Sequence, residues 1–205
     1  MQQECPSIAD LMLLMTSRLE ETARTLDQVN AGRFLEEILS AKRIYLAGAG
    51  RSGLVARAFA QRLMHLGFES YVIGETITPA FGPEDVLVAF SGSGETRSVV
   101  DACETAREIG GKICLVTSTA DSRIGRMADC VVEIGNNQLK DADIPHDFEI
   151  RQLTGQYRSV SGSFAPLGTL FETVALVFSD AIVSALMEVR HCTAEDLRSR
   201  LANVQ

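Results

Sequence analysis

The chain predicts an α/β fold, a doubly wound five-stranded parallel sheet flanked by helices in a three-layer single domain. Three observations carry this. Five short apolar runs recur between residues 43 and 134. Helix-periodic segments separate most of them, which is the βαβ pattern of a parallel sheet. Two glycine-rich stretches stand where an apolar run hands over to a helix pattern. Right-handed crossovers then place helices on both faces of the sheet.

The elements follow in order. Ile8, Leu11, Met12, Met15, Leu19 and Leu26 recur at helical spacing, and Ser7 is placed to cap that helix. A second, short helix is expected from Gly32 to Ser40. Arg43 to Ala47 reads as the first strand, and Ser52 to Leu66 as a helix closed by Gly67. Tyr71 to Ile73 and Val86 to Phe90 read as the second and third strands. A helix from about 97 to 109 ends at Gly110-Gly111, before a fourth strand at Ile113 to Val116. A short helix near Arg123 to Met127 leads to the fifth strand, Cys130 to Ile134.

Residues 135–165 break this rhythm. They are polar and of mixed charge, so they read either as a surface excursion or as a lid or partner contact over the site. Leu167 to Val189 is a strong helix, apolar around most of its circumference, and is expected in the core centre or at a subunit interface. Thr193 caps a last short helix. The domain 1–205 thus divides into N-terminal helices (1–40), core βα units (41–134), the polar excursion (135–165) and C-terminal helices (166–205).

Composition narrows the function. With 46% hydrophobic residues the chain can bury a sizeable core. A formal net charge of −8 argues against nucleic acid and anionic membranes, which require a basic patch. Cys5, Cys103, Cys114, Cys130 and Cys192 show no metal-binding spacing and suit a reducing compartment. No signal-peptide pattern opens the chain. A cytoplasmic protein without metal or organic cofactor is expected.

The chemistry lies in the two loops. Ser91-Gly92-Ser93-Gly94-Glu95-Thr96 packs three hydroxyls and two glycines between a strand and a helix N-terminus. Free N–H groups and the helix dipole favour an anion there. Glycines let the backbone approach, and hydroxyls donate to phosphate oxygens. Gly48-Ala49-Gly50-Arg51-Ser52-Gly53 matches the dinucleotide fingerprint, with Glu75 placed as the acidic partner. Arg51 would crowd a pyrophosphate, however, and a nucleotide fold does not call for a second, serine-rich cradle. A sugar phosphate held across both loops fits better. Ser91, Ser93 and Thr96 would take the phosphate with Gly92 and Gly94 near it, while Gly50, Arg51 and Ser52 meet its far side or the sugar hydroxyls. Glu95 opposes a phosphate in charge, so its side chain is expected to point away.

These segments, with RLMHLGF (62–68), GETITPA (74–80) and PLGTLFE (166–172), resemble the sugar isomerase (SIS) domain family and its 6-phospho-3-hexuloisomerase branch. The resemblance spans about residues 44–190. It implies a flavodoxin-like fold, a homotetramer, and interconversion of D-arabino-hex-3-ulose 6-phosphate and D-fructose 6-phosphate in ribulose monophosphate formaldehyde assimilation. It also implies that Glu172 is the catalytic glutamate. Another phosphosugar, or a non-catalytic sugar-phosphate sensor, is the alternative. Moving a carbonyl between C3 and C2 needs a base for the C2 proton, and a carboxylate suits this. Family members carry a histidine in a tail like RHANLE, where this chain has Leu201. His65, His146 and His191 are then the candidates for a second proton carrier.

Overall fold

The computed structural model describes residues 8–135 and 169–201. Two helices, α1 (Ile8–Thr25) and α2 (Gln28–Ser40), precede the sheet. Then come β1 (Ile44–Gly48), α3 (Arg51–His65), β2 (Ser70–Val72), β3 (Val86–Phe90), α4 (Arg97–Ile109), β4 (Lys112–Thr117) and β5 (Cys130–Glu133). Helices α5 (Thr169–Val189) and α6 (Ala194–Ser199) close the described chain. The five strands lie in the order β2-β1-β3-β4-β5, and every neighbouring pair is parallel. This is the flavodoxin-like order, in which the chain winds one way from β1 and the other way from β3.

Alternation along the strands builds a core on each face. Ile44, Leu46, Val86, Val88, Phe90, Cys114 and Val116 join the residues of α2, α3 and α5. Tyr45, Ala47, Leu87, Ala89, Ile113 and Leu115 point the other way and meet Val99, Val100, Cys103 and Ala106 of α4. Strands buried on both faces read as unbroken apolar runs, which is why 86–90 was legible. At the strand starts, Arg43 makes a two-pronged pair with the buried Asp85 at 3.0 and 2.7 Å, tying β1 to β3.

Several boundaries differ from the sequence reading. Helix α2 starts at Gln28, not Gly32, because the Asp27 carboxylate accepts from the amides of Val29 (2.9 Å) and Asn30 (3.2 Å). Gly32 therefore lies inside the helix, where a Cβ would meet open space. Residues 123–127 form hydrogen-bonded turns rather than a helix. There a Cβ on Gly125 would collide with the Ala120 carbonyl, so the turn packs closely on the chain just before it. The expected stop at Gly67 is present. Gly67 has φ +85, and the amides of Gly67 and Phe68 reach the Met64 and Leu63 carbonyls at 2.9 and 3.0 Å. The Ser7 cap, residues 136–165 of the polar excursion and residues 166–168, with the expected helix start at Leu167, lie outside the described residues.

Helix α5 buries one face, not its whole circumference. Val174, Ala175, Phe178, Ile182, Val183 and Leu186 enter the core, while Leu176 and Val177 stay exposed. The span Leu170–Val189 is long and apolar enough to cross a membrane by length and composition. Its packing against α1, α2 and α3 accounts for that character as a core helix.

Candidate functional site

The switch point between β1 and β3 is where ligands bind in such sheets. Gly48 pairs with Phe90 in register, so the loops that follow β1 and β3 leave the sheet side by side. The loop after β1 is shaped by close approach. A Cβ on Gly48 would stand 2.7 Å from the Ser52 carbonyl oxygen, and one on Gly53 would stand 2.8 Å from the Gly48 carbonyl oxygen. Those two glycines seat α3 on the end of β1. Gly50 is the N-cap, at φ +56, and delivers Arg51 and Ser52 as the first two residues of the helix. Ser52 is buried and Arg51 is exposed.

The loop after β3 organises itself. The Ser91 hydroxyl, only 2% exposed, accepts from the Gly94 amide (3.1 Å) and shares a hydrogen bond with the Thr96 hydroxyl (3.1 Å). The Ser93 hydroxyl accepts from the Glu95 amide at 3.2 Å. Thr96 is the N-cap of α4, yet its side chain caps no amide of that helix. Gly94 sits at φ +65, a backbone that favours glycine.

Helix α5 brings a third N-terminus to the same place. The Phe171 ring lies 3.3 Å from where a Cβ on Gly92 would stand, so Gly92 is small because an aromatic ring packs on it. The next residue, Glu172, is largely buried, and its Oε2 accepts from Arg51 Nε at 3.0 Å. The starts of α3, α4 and α5 thus converge on the two loops. Helix N-termini carry unpaired amides and positive partial charge, so the junction suits an anion. One carboxylate, Glu172, stands within it on a cationic partner.

The histidines stand elsewhere. His65 ends α3, fourteen residues from Arg51, or about 21 Å at 1.5 Å per residue. It is buried, its Nδ1 has no hydrogen-bond partner, and burial lowers its pKa with a smaller push from Arg62. His191 is exposed at φ 53, beyond the far end of α5 from Glu172. The fold of one chain therefore brings neither of them to Glu172, and His146 lies outside the described residues. Leu201 is exposed near the C-terminus. Glu75, the acidic residue of the dinucleotide fingerprint, pairs with Arg57 at 3.2 Å.

A further wall was missed in the sequence reading. The segment after β4 leans on the 91–96 loop. The Ser118 amide and Thr117 hydroxyl donate to the Gly92 carbonyl at 3.0 and 3.1 Å, and the Ile124 amide donates to the Gly94 carbonyl at 3.1 Å. The signal was present as hydroxyls in Thr117-Ser118-Thr119 and Ser122, again after a strand.

Comparison with known proteins settles the family. The SIS domain model matches residues 37–138. A 3-hexulose-6-phosphate isomerase from Bacillus subtilis is 34% identical over 189 residues, covering 92% of this chain and 95% of the relative. The chain belongs to the SIS domain family. An uncharacterized protein from Archaeoglobus fulgidus is 40% identical over 189 residues, covering 92% of this chain and 95% of the relative. A crystal structure from Methanococcus jannaschii, for which a 3-hexulose-6-phosphate isomerase function was inferred, superposes with a TM-score of 0.76. It is 28% identical, covering 96% of this chain and 98% of that one. With relatives named as isomerases covering 83% to 97% of it, the SIS chain is an isomerase.

Proposed function

We propose that this SIS isomerase acts on a phosphosugar, interconverting D-arabino-hex-3-ulose 6-phosphate and D-fructose 6-phosphate through a cis-enediolate. The observation that carries the reading is the Glu172 carboxylate held on Arg51 beside the 91–96 loop, at the meeting of three helix N-termini. The names of the relatives support the choice of sugar.

The phosphate takes the mouth of the 91–96 loop, where Ser93 and Thr96 are half-buried and within reach. Ser91 holds the loop from behind, and Gly92 and Gly94 keep the backbone close. Anchored there, the sugar extends toward Arg51, Ser52 and Gly50. Glu172 removes the C2 proton of the 3-ketose, and the electrons pass into the C2–C3 bond and the C3 oxygen. The C2 hydroxyl loses its proton as the enediolate collapses, and Glu172 returns its proton to C3 on the same face. Arg51, at one edge of the carboxylate, stabilises the negative oxygens as charge develops. A second carrier moves protons between the oxygens. Of the three histidines, His191 would reach a site only from another subunit, His65 is buried within its own chain, and His146 lies outside the described residues. We also propose that the chain works as a homotetramer in the cytoplasm, in ribulose monophosphate formaldehyde assimilation. Its exposed apolar residues on α1 and α5 support self-association.

Incubating the protein with fructose 6-phosphate in D₂O tests the reading by NMR. Deuterium enters at the carbon acid and the 3-ketose appears. Glu172→Gln lowers that exchange by about 10³-fold, within the range for losing a general base, while phosphosugar binding persists. Binding without any exchange in the wild-type protein overturns the isomerase assignment to this sugar and leaves a binding module.

A further inference from the structure

Glu95 is the one residue of the 91–96 loop whose chemistry opposes a phosphate. The structure shows what occupies it. Its Oε1 accepts from the backbone amide of Arg123 at 2.6 Å, in the turn after β4. The Arg123 guanidinium in turn reaches Glu104 on α4 at 2.8 Å, so this turn residue is gripped through both its backbone and its side chain. The next amide, Ile124, donates to the Gly94 carbonyl at 3.1 Å. Ser122 fills the space where a Cβ on Gly94 would stand. The Glu95 side chain thus turns away from the mouth of the loop and clamps the 118–127 turn against its back.

We propose that Glu95 is a positioning residue for phosphate binding. It acts by anchoring the Arg123 amide, not through its charge on the ligand. This rests on the reading of 91–96 as the phosphate cradle. The physical reason is preorganisation. Gly94 is held at φ +65, and the amides of Gly94 and Glu95 already spend their hydrogen bonds on Ser91 and Ser93. A loop folded this tightly keeps its hydroxyls at the mouth only if its outer side is braced, and Glu95 to Arg123 and Gly94 to Ile124 brace it beside the Gly92 contacts of Thr117 and Ser118. A carboxylate near a phosphate carries an electrostatic cost, so a glutamate at this position makes sense where the reach of its acceptor oxygen matters.

Two conservative variants separate reach from charge. Glu95→Gln keeps the length and an acceptor oxygen but loses the charge. Glu95→Asp keeps the charge but is one methylene short of the Arg123 amide. Binding of inorganic phosphate is measured by ³¹P NMR titration, independently of any isomerase turnover. Hydrogen exchange of the Arg123 and Ile124 amides is followed in parallel. Glu95→Asp and Glu95→Ala are expected to weaken phosphate about tenfold and to speed exchange of both amides. Glu95→Gln is expected to stay near wild type in both. Where turnover is measured, KM for the phosphosugar rises in step with the phosphate dissociation constant while kcat changes little.

Equal loss in Glu95→Gln and Glu95→Asp would overturn the proposal, because charge would then matter. So would unchanged phosphate binding in Glu95→Asp with accelerated amides, since the brace would not serve the cradle. A collapse of kcat in Glu95→Gln would make Glu95 a catalytic group instead. If wild-type protein binds phosphate with this pattern of variants but turns over no sugar, the isomerase reading fails and the role of Glu95 stands. If wild-type protein binds no phosphate, both fail.

Discussion

His65 shows how the surroundings of a single side chain, unreadable in the sequence, change what it can do. A histidine in RLMHLGF invites a catalytic role, yet it is buried at the far end of α3 from Arg51 with its Nδ1 unpartnered. Burial lowers its pKa, and Arg62 lowers it further. In the unfolded chain a histidine titrates near 6.5, so below that pH the unfolded state binds a proton that the native state resists. Stability is therefore full above about pH 6.5 and falls as the pH drops through the lowered native value. Thermal unfolding between about pH 7.5 and 5.5 should show a decline in Tm that His65→Gln flattens. Cys103 makes the complementary case. Burial, with Glu104 adding to it, pushes its thiol up to about 12, which explains why a buried cysteine here behaves as a small apolar residue. The residue types were readable in the chain, but their surroundings were not.

At the scale of elements, the two glycine loops matter through what packs behind them. A Cβ on Gly94 would collide with Ser122, and its φ of +65 is unfavourable for any other residue. Gly94→Ala is expected to destabilise the protein by about 2 kcal/mol and to weaken phosphate binding, as read by chemical denaturation and titration. Gly32, by contrast, faces open space inside α2. Reading it as a helix start failed because Asp27 supplies the cap. The turns at 123–127 differ from the helix expected for the same reason in reverse. Their apolar spacing is helical, but Ile124 is drawn into the core beneath α4, and its amide serves the Gly94 carbonyl instead of a longer helix.

At the scale of the molecule, several large apolar residues remain uncovered. Helix α1 has no fully buried residue, and Ile8, Met12 and Leu13 are exposed, as are Leu176 and Val177 on α5. Subunit association would cover such residues, and sites completed across subunits would then lose activity on dilution. Sedimentation should show an assembly larger than one chain, and Val177→Lys should shift it toward smaller species with a matching fall in specific activity. An unchanged monomer at micromolar concentration would refute this. The parallel sheet itself explains why so much was visible beforehand. Its three central strands are buried on both faces, so they write continuous apolar runs, and its helices write a clear period of 3.6.

The sequence by itself determined the α/β class, the five strands, the two loops at their ends and the family resemblance. Each of these is a local pattern of apolar spacing, glycine and hydroxyl, and needs no knowledge of distant contacts. Only the tertiary structure decided that Glu172 stands on Arg51, 121 positions earlier in the chain, that Phe171 lies over Gly92, and that Glu95 grips the Arg123 amide. Those pairings arise from where helices dock on the sheet. That docking is set by the packing of the whole core, which no short window of sequence contains.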